Sequence, residues 1–139
     1  MATTPPRAET TVFIYQIDVS FDTTRLEVTL GRNMPADGQL HLPQGISMLV
    51  FNMLPTNGGS GLQARIPVYP IQWLDAASNP TEAPPYAQAQ WFNHRRFTLV
   101  MFNSSLVDED NQHRFNFAVV YDGKTYGNDP IIINDPPGG

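Results

Sequence analysis

From Thr11 to Phe21 the chain reads TVFIYQIDVSF, and its side chains sort into two sets by alternation. Phe13, Tyr15, Ile17, Val19 and Phe21 fall on one side, and Gln16, Asp18 and Ser20 on the other. A period of two suits a half-buried β-strand and cannot line up as one stripe on a helix. The pattern returns in RLEVTL, with Leu26, Val28 and Leu30 inward against Arg25, Glu27 and Thr29. It returns in QWFNHRRFTLVMF, where Phe97, Leu99 and Met101 alternate with Arg96 and Thr98. It returns once more in HRFNFAVVY, through Phe115, Phe117, Val119 and Tyr121. No window carries a helical period long enough to compete, so the chain is expected to be all-β.

The connecting segments carry turn chemistry. GRNMPADG reads as a turn, QLHL as a short strand after it, PTNGGSG as a loop, and DAASNPTEAPPYAQ as the longest irregular stretch. ISMLVFNML is apolar on both faces, which suits a central strand or one lying at a subunit contact. QARIPVYPIQWL is extended, and Pro67 and Pro70 push it towards a sheet edge because proline cannot donate to a ladder. Asp122-Gly123 between two alternating runs predicts a two-residue type I′ hairpin that pairs 113–121 with 124–133. Gly127 and Asn128 are expected to bulge the returning strand. Seven or eight such strands predict an antiparallel β-sandwich, immunoglobulin-like, with a jelly roll as the alternative. The expected organisation is a flexible arm over 1–10, one domain over 11–134 and a tail over 135–139.

Composition bounds the chemistry. With 139 residues, 41% apolar and eight phenylalanines, one domain can bury a real core without a metal or disulfide staple. The absence of cysteine removes thiol catalysis, cysteine-ligated zinc and iron–sulfur clusters together. A net charge of -5 disfavours a nucleic-acid partner, and His94-Arg95-Arg96 is too short to offset it. The first ten residues lack the apolar segment of a signal peptide, and no apolar run approaches the roughly 18 residues of a membrane span. The expectation is a soluble, cytoplasmic protein without a membrane partner.

Four groups of residues invite a functional reading. Trp73, Tyr86 and Trp91 could form an aromatic platform for sugar rings, with Gln and Asn as polar anchors; the alternative places both tryptophans in the core. The acidic stretch Asp108, Glu109, Asp110, with His113 nearby, offers oxygen and nitrogen ligands for a metal. It lacks EF-hand spacing, and a solvated hairpin loop accounts for it equally well. His41, His94 and His113 have no convergent spacing, although His94 and His113 could sit on neighbouring strands. Asn103-Ser104-Ser105 is formally a glycosylation sequon, expected to be unused. No Gly-x-Ser-x-Gly elbow and no phosphate loop ending in Lys-Ser or Lys-Thr occurs. No cofactor is expected.

The C-terminal stretch YDGKTYGNDPIIINDPP resembles the signature of the small bacterial DP-EP family. The first dipeptide is Asp129-Pro130. At the second position this chain has Asp135-Pro136, after Asn134, where the family has Glu-Pro. Leu42 to Leu54, LPQGISMLVFNML, is similar in character. The resemblance implies a β-sandwich of unassigned function and no catalytic residues to carry over. Physically, Asp before proline is held extended, and the prolines are expected to end the last strand and protect an edge. The leading expectation is a non-catalytic interaction or assembly module, with homo-oligomerisation or a protein ligand. A carbohydrate-binding module is the alternative and a metal-dependent enzyme the third reading.

Overall fold

The computed structural model describes residues 11–56, 61–103 and 112–134. The arm at 1–10, Asp108, Glu109, Asp110 and the tail with Asp135 and Pro136 lie outside the described residues. The described chain is all-β, with strands β1 (Val12–Asp22), β2 (Glu27–Arg32), β3 (Gln39–Leu42), β4 (Gly45–Met53), β5 (Ile71–Leu74), β6 (Ala87–Asn93), β7 (Arg96–Asn103), β8 (Gln112–Tyr121), β9 (Lys124–Asn128) and β10 (Ile131–Asn134). They form two open sheets. The first has the order β2-β1-β4-β7-β6; the second has β3-β10-β8-β5, with β9 also paired to β8.

The sheets are mixed, which corrects the antiparallel expectation. β1 runs parallel to β4, from Val12↔Ile46 to Val19↔Met53, and β10 runs parallel to β3. Alternation tells which face of a strand is wet; it carries no information about direction. The parallel pair arises at a corner. β3 belongs to the second sheet, and only Pro43 and Gln44 separate it from β4 in the first. Gly45 turns this corner with φ of 107°, and a Cβ there would sit 3.4 Å from the Thr11 carbonyl oxygen. Buried Asn103 ties the corner: its Nδ2 donates to the Leu42 carbonyl at 3.0 Å and its Oδ1 accepts from Gln44 Nε2 at 3.3 Å. The sequon asparagine is thus 2% exposed and its amide nitrogen is engaged.

The inward faces meet in one aromatic cluster. Phe51 on β4 and Phe97 on β7 are register partners, and Phe117 on β8 stacks on Phe51 with ring centroids 4.4 Å apart. Phe97 closes the triad edge-on to Phe117 at 6.1 Å. Towards the β8–β9 hairpin, Phe21 packs on Tyr121 and Tyr126 at 4.9 and 5.0 Å. Burying a Phe side chain is worth roughly 1.5–3 kcal/mol, and aromatic pairing adds about 0.5–1.5 kcal/mol.

Three local expectations need correction. Leu26 is not an inward strand residue. It has φ of 56°, is exposed, and belongs to the turn that Asp22 caps by accepting from the Thr24 and Arg25 N–H groups at 2.8 and 3.0 Å. The QWFNHRRFTLVMF stretch is two strands, because Asn93 Oδ1 accepts from the Arg95 N–H and turns the chain between β6 and β7. The Asp122-Gly123 turn forms as expected, with φ of 49° and 73°, but no bulge follows at Gly127 and Asn128. Phe117↔Asn128 and Arg114↔Ile131 are each three residues apart on both strands, so the register runs unchanged through Asp129-Pro130.

Asp129-Pro130 therefore neither ends the last strand nor guards an edge. β10 lies between β3 and β8 inside the second sheet. Pro130 is buried, and its carbonyl accepts from the Phe115 N–H at 3.3 Å. The missing proline N–H separates β9 from β10 without shifting the pairing.

Gly127 has a steric reason. A Cβ at this position would land on the Asn116 carboxamide of the neighbouring strand. Gly127→Ala is expected to cost about 1–3 kcal/mol by overpacking. The double variant with Asn116→Ala is expected to recover much of that cost in a denaturation cycle; equal losses in both backgrounds would refute the clash. A second expectation concerns Asp22. The backbone N–H groups of Arg25 and Thr24 hold its carboxyl below the ordinary value of 3.8. A carboxyl depressed by folding stabilises the hairpin above its unfolded pKa and loses that contribution as pH falls through the folded one. Carboxyl NMR titration should place the Asp22 midpoint below 3.8, and Ala substitution of Asp22 should flatten the acid limb of stability.

Candidate functional site

The two tryptophans sit on the two strands that border the same open side of the molecule. Trp73 lies on β5, at the edge of the second sheet, and Trp91 on β6, at the edge of the first. Both are half-buried and pack against the core. Trp73 leans on Phe115, with centroids 5.3 Å apart, and presents its edge to His113 at 6.5 Å. Trp91 donates its Nε1 proton to the Ile66 carbonyl at 3.1 Å and meets the His94 ring edge-on at 5.4 Å. The indole N–H of Trp91 is therefore spent inside the protein, which leaves ring surface rather than hydrogen bonding for a ligand.

Between the tryptophans runs a groove of about 400 Å³, lined by Trp73, Trp91, Val68, Tyr69, Ala89 and Gln90, among others. The segment on its outer wall is built by two prolines. Arg65 pairs with Val120 on β8, and the Pro70 carbonyl accepts from the Ala118 N–H at 2.8 Å. Between these anchors, Val68 and Tyr69 loop out of the sheet edge. Tyr69 is 90% exposed, the most exposed of the large apolar side chains among the described residues. The sequence reading missed it; the signal was the Pro67-Val68-Tyr69-Pro70 order, which forbids regular pairing on either side of two apolar residues.

Tyr86 does not join this group. It stands before β6 and packs edge-on against Phe102 at 6.1 Å, beside the outer face of the first sheet. The expected platform of Trp73, Tyr86 and Trp91 therefore reduces to the two tryptophans, with Tyr69 beside them.

A second, larger cavity of about 630 Å³ lies on the other side of Trp73, with Asp75, Glu82, His113 and Arg114 in its wall. Asp75 is already committed to its own loop: Oδ1 accepts from the Ala77 and Asn79 N–H groups, both at 2.9 Å. Among the described residues no three His, Asp or Glu side chains group closely enough to hold a metal. His94 and His113 do not occupy neighbouring strands. His94 lies in the β6–β7 turn of the first sheet, while His113 lies on β8 of the second and pairs with Ile132. His41 is exposed on β3. Of the paired dipeptides, Asp129 is exposed and Pro130 buried, and Asn134 pairs through its backbone with Leu42. Among the described residues no helix is long and apolar enough to cross a membrane.

Comparison with protein-family models gave no match, and comparison with curated proteins gave none of significance. The residues themselves therefore carry the functional argument.

The packing of both indoles predicts restricted solvent access. Acrylamide should quench the tryptophan fluorescence of the folded protein several-fold less than that of the denatured chain. Equal quenching in both states would show that the indole faces are open.

Proposed function

We propose that the protein is a non-catalytic β-sandwich module of immunoglobulin-like type that works by interaction or assembly. The sandwich reading is supported by two layers meeting at Phe51 and Phe117, and by a chain that passes between them at β2–β3, β3–β4, β4–β5, β5–β6 and β7–β8. The observation that carries the functional reading is the display of large apolar side chains outside the core. On the outer face of the first sheet Val12, Ile46 and Phe102 are register partners, Tyr86 packs on Phe102, and Ile14 stands beside them 61% exposed. Contiguous exposed apolar surface marks interaction sites on soluble domains. A cytoplasmic location and kinship with the DP-EP proteins belong to the same proposal. The kinship rests on Asp129-Pro130 and Asp135-Pro136.

A second reading has its own support. Trp73 and Trp91 line one groove with Tyr69, and an apolar groove with a few polar groups such as Gln90 suits the flat faces of a saccharide.

One pair of measurements separates the readings. Sedimentation velocity across a concentration series should show mass above the monomer if the module assembles with itself. A thermal-shift series against oligosaccharides should stay flat in that case. A saccharide at about 100 times its dissociation constant adds roughly 2.7 kcal/mol, a shift of several degrees for a domain of this size. A dose-dependent shift abolished by Trp91→Ala, with a monomeric mass, would replace the assembly reading with the saccharide one.

A further inference from the structure

The free edges of the two sheets are not equally protected. An unpaired strand edge is a template for another strand, and proteins blunt such edges with charge, proline, short length or a covering segment. β2 carries Glu27 and Arg32, and Asn128 of the other sheet donates to its Val28 carbonyl at 2.9 Å. β3 is four residues long and runs into Pro43. β5 is covered by its own following loop: Pro80 bridges Leu74, and the Thr81 N–H donates to the Trp73 carbonyl at 2.9 Å. β9 holds Lys124 and a glycine in five residues. β6 differs from all of these. Its seven residues, AQAQWFN, contain no charge and no proline; its register shifts only after Trp91, so 87–91 run regular, and among the described residues no strand pairs with its outer side.

The hydrogen-bond phase of β6 identifies its free groups. The Tyr86 carbonyl accepts from the Phe102 N–H, so Tyr86 and Phe102 form a hydrogen-bonded pair of the β6–β7 ladder. In an antiparallel ladder such pairs alternate with non-bonded ones. The backbone groups of Gln88 and Gln90 therefore face β7, and those of Ala87, Ala89 and Trp91 face outward. The Ala87 N–H fits this phase, since it turns away from β7 to the Pro84 carbonyl at 3.0 Å. At the centre of the exposed edge stands Ala89, whose methyl leaves room for close approach.

We infer that this edge pairs with the same edge of a second copy of the chain, β6 against β6, antiparallel about a twofold axis at Ala89. The inference rests on the assembly reading above and names its partner. The occupant is a second copy because an isologous contact needs one self-complementary patch, and this strand supplies both halves. An axis at Ala89 lets each Ala89 N–H donate to the other Ala89 carbonyl, and each Trp91 N–H to the Ala87 carbonyl across the axis. It brings no like charges together, although the chain as a whole carries -5. The groove beside the edge, walled by Val68, Tyr69 and Trp91, receives the approaching strand.

The test is sedimentation of the full chain and two variants, with circular dichroism to confirm folding. Ala89→Pro removes the outward N–H and leaves the Gln88 and Gln90 bonds to β7 in place. Gln90→Lys, at a position that stands opposite Gln88 of the other copy, sets the two lysines diagonally across the axis and keeps every backbone group. The expected result is a concentration-dependent dimer for the parent chain and weaker self-association for both folded variants, at least tenfold weaker for Ala89→Pro. A dimer that persists in folded Gln90→Lys and Ala89→Pro overturns the edge pairing while leaving the assembly reading intact. A parent chain that stays monomeric at its highest soluble concentration overturns both.

Discussion

The stacking of Phe117 on Phe51 is the contact on which the remaining structure depends. Of the ring contacts between the two sheets among the described residues it has the shortest centroid distance, 4.4 Å. Phe51 is fixed from both sides, by β1 and β7, and Phe97 stands directly across from it. Phe117 is fixed by β5 on one side and β9 on the other. The triad thus reads out the register of both sheets at once. A slip of one residue in β4, β7 or β8 would turn a phenylalanine of the triad outward and open the centre of the core. That coupling explains why the Gly127–Asn116 approach and the Asn103 corner matter although neither is in the core. Both hold the registers that bring the rings together.

Strand identity was largely legible in the sequence, for a physical reason. Half-burial imposes a period of two, and β1, β2, β7 and β8 announce it, whereas β4 was readable as a central strand because its run is apolar on both faces. Sheet membership was not legible. Leu40 and Leu42 alternate on β3 as clearly as Val28 and Leu30 do on β2, yet the two strands belong to different sheets. The direction of β1 against β4 is decided by a two-residue corner and a buried asparagine, and neither leaves a periodic trace. Leu26 shows the opposite error: its spacing fits the strand, but the Asp22 cap captures it for the turn. The tryptophans were recognisable as a pair, whereas Tyr69 was hidden between prolines that read only as an edge signal.

The Asp-Pro dipeptide illustrates how one local rule can have two outcomes. Proline removes a ladder donor, which favours an edge when the strand has a neighbour on that side. At Pro130 the lost donor faces a place where β8 passes from one partner to the next, and the proline carbonyl still accepts from Phe115. The residue is therefore tolerated in the interior of the sheet. It divides one hairpin arm in two, and only the second part, β10, also pairs with β3.

The groove and the β6 edge share Trp91, Ala89 and the Val68–Tyr69 bulge, so the two surfaces are not independent. A strand laid along β6 occupies the space into which a saccharide would stack, and a saccharide held between Tyr69 and Trp91 blocks the approach of the strand. Competition of this kind is reciprocal: whatever factor the ligand takes from the dimer, the dimer takes from the ligand. The exposed Tyr69 is consistent with either occupant, since an amphipathic ring can cover a neighbouring strand or a sugar face. The backbone separates the two. A saccharide needs side-chain anchors, and the indole N–H of Trp91 is already bonded to Ile66. A strand needs main-chain groups, and those of Ala89 and Trp91 face the open edge. The surface is therefore better provided for strand pairing than for sugar recognition.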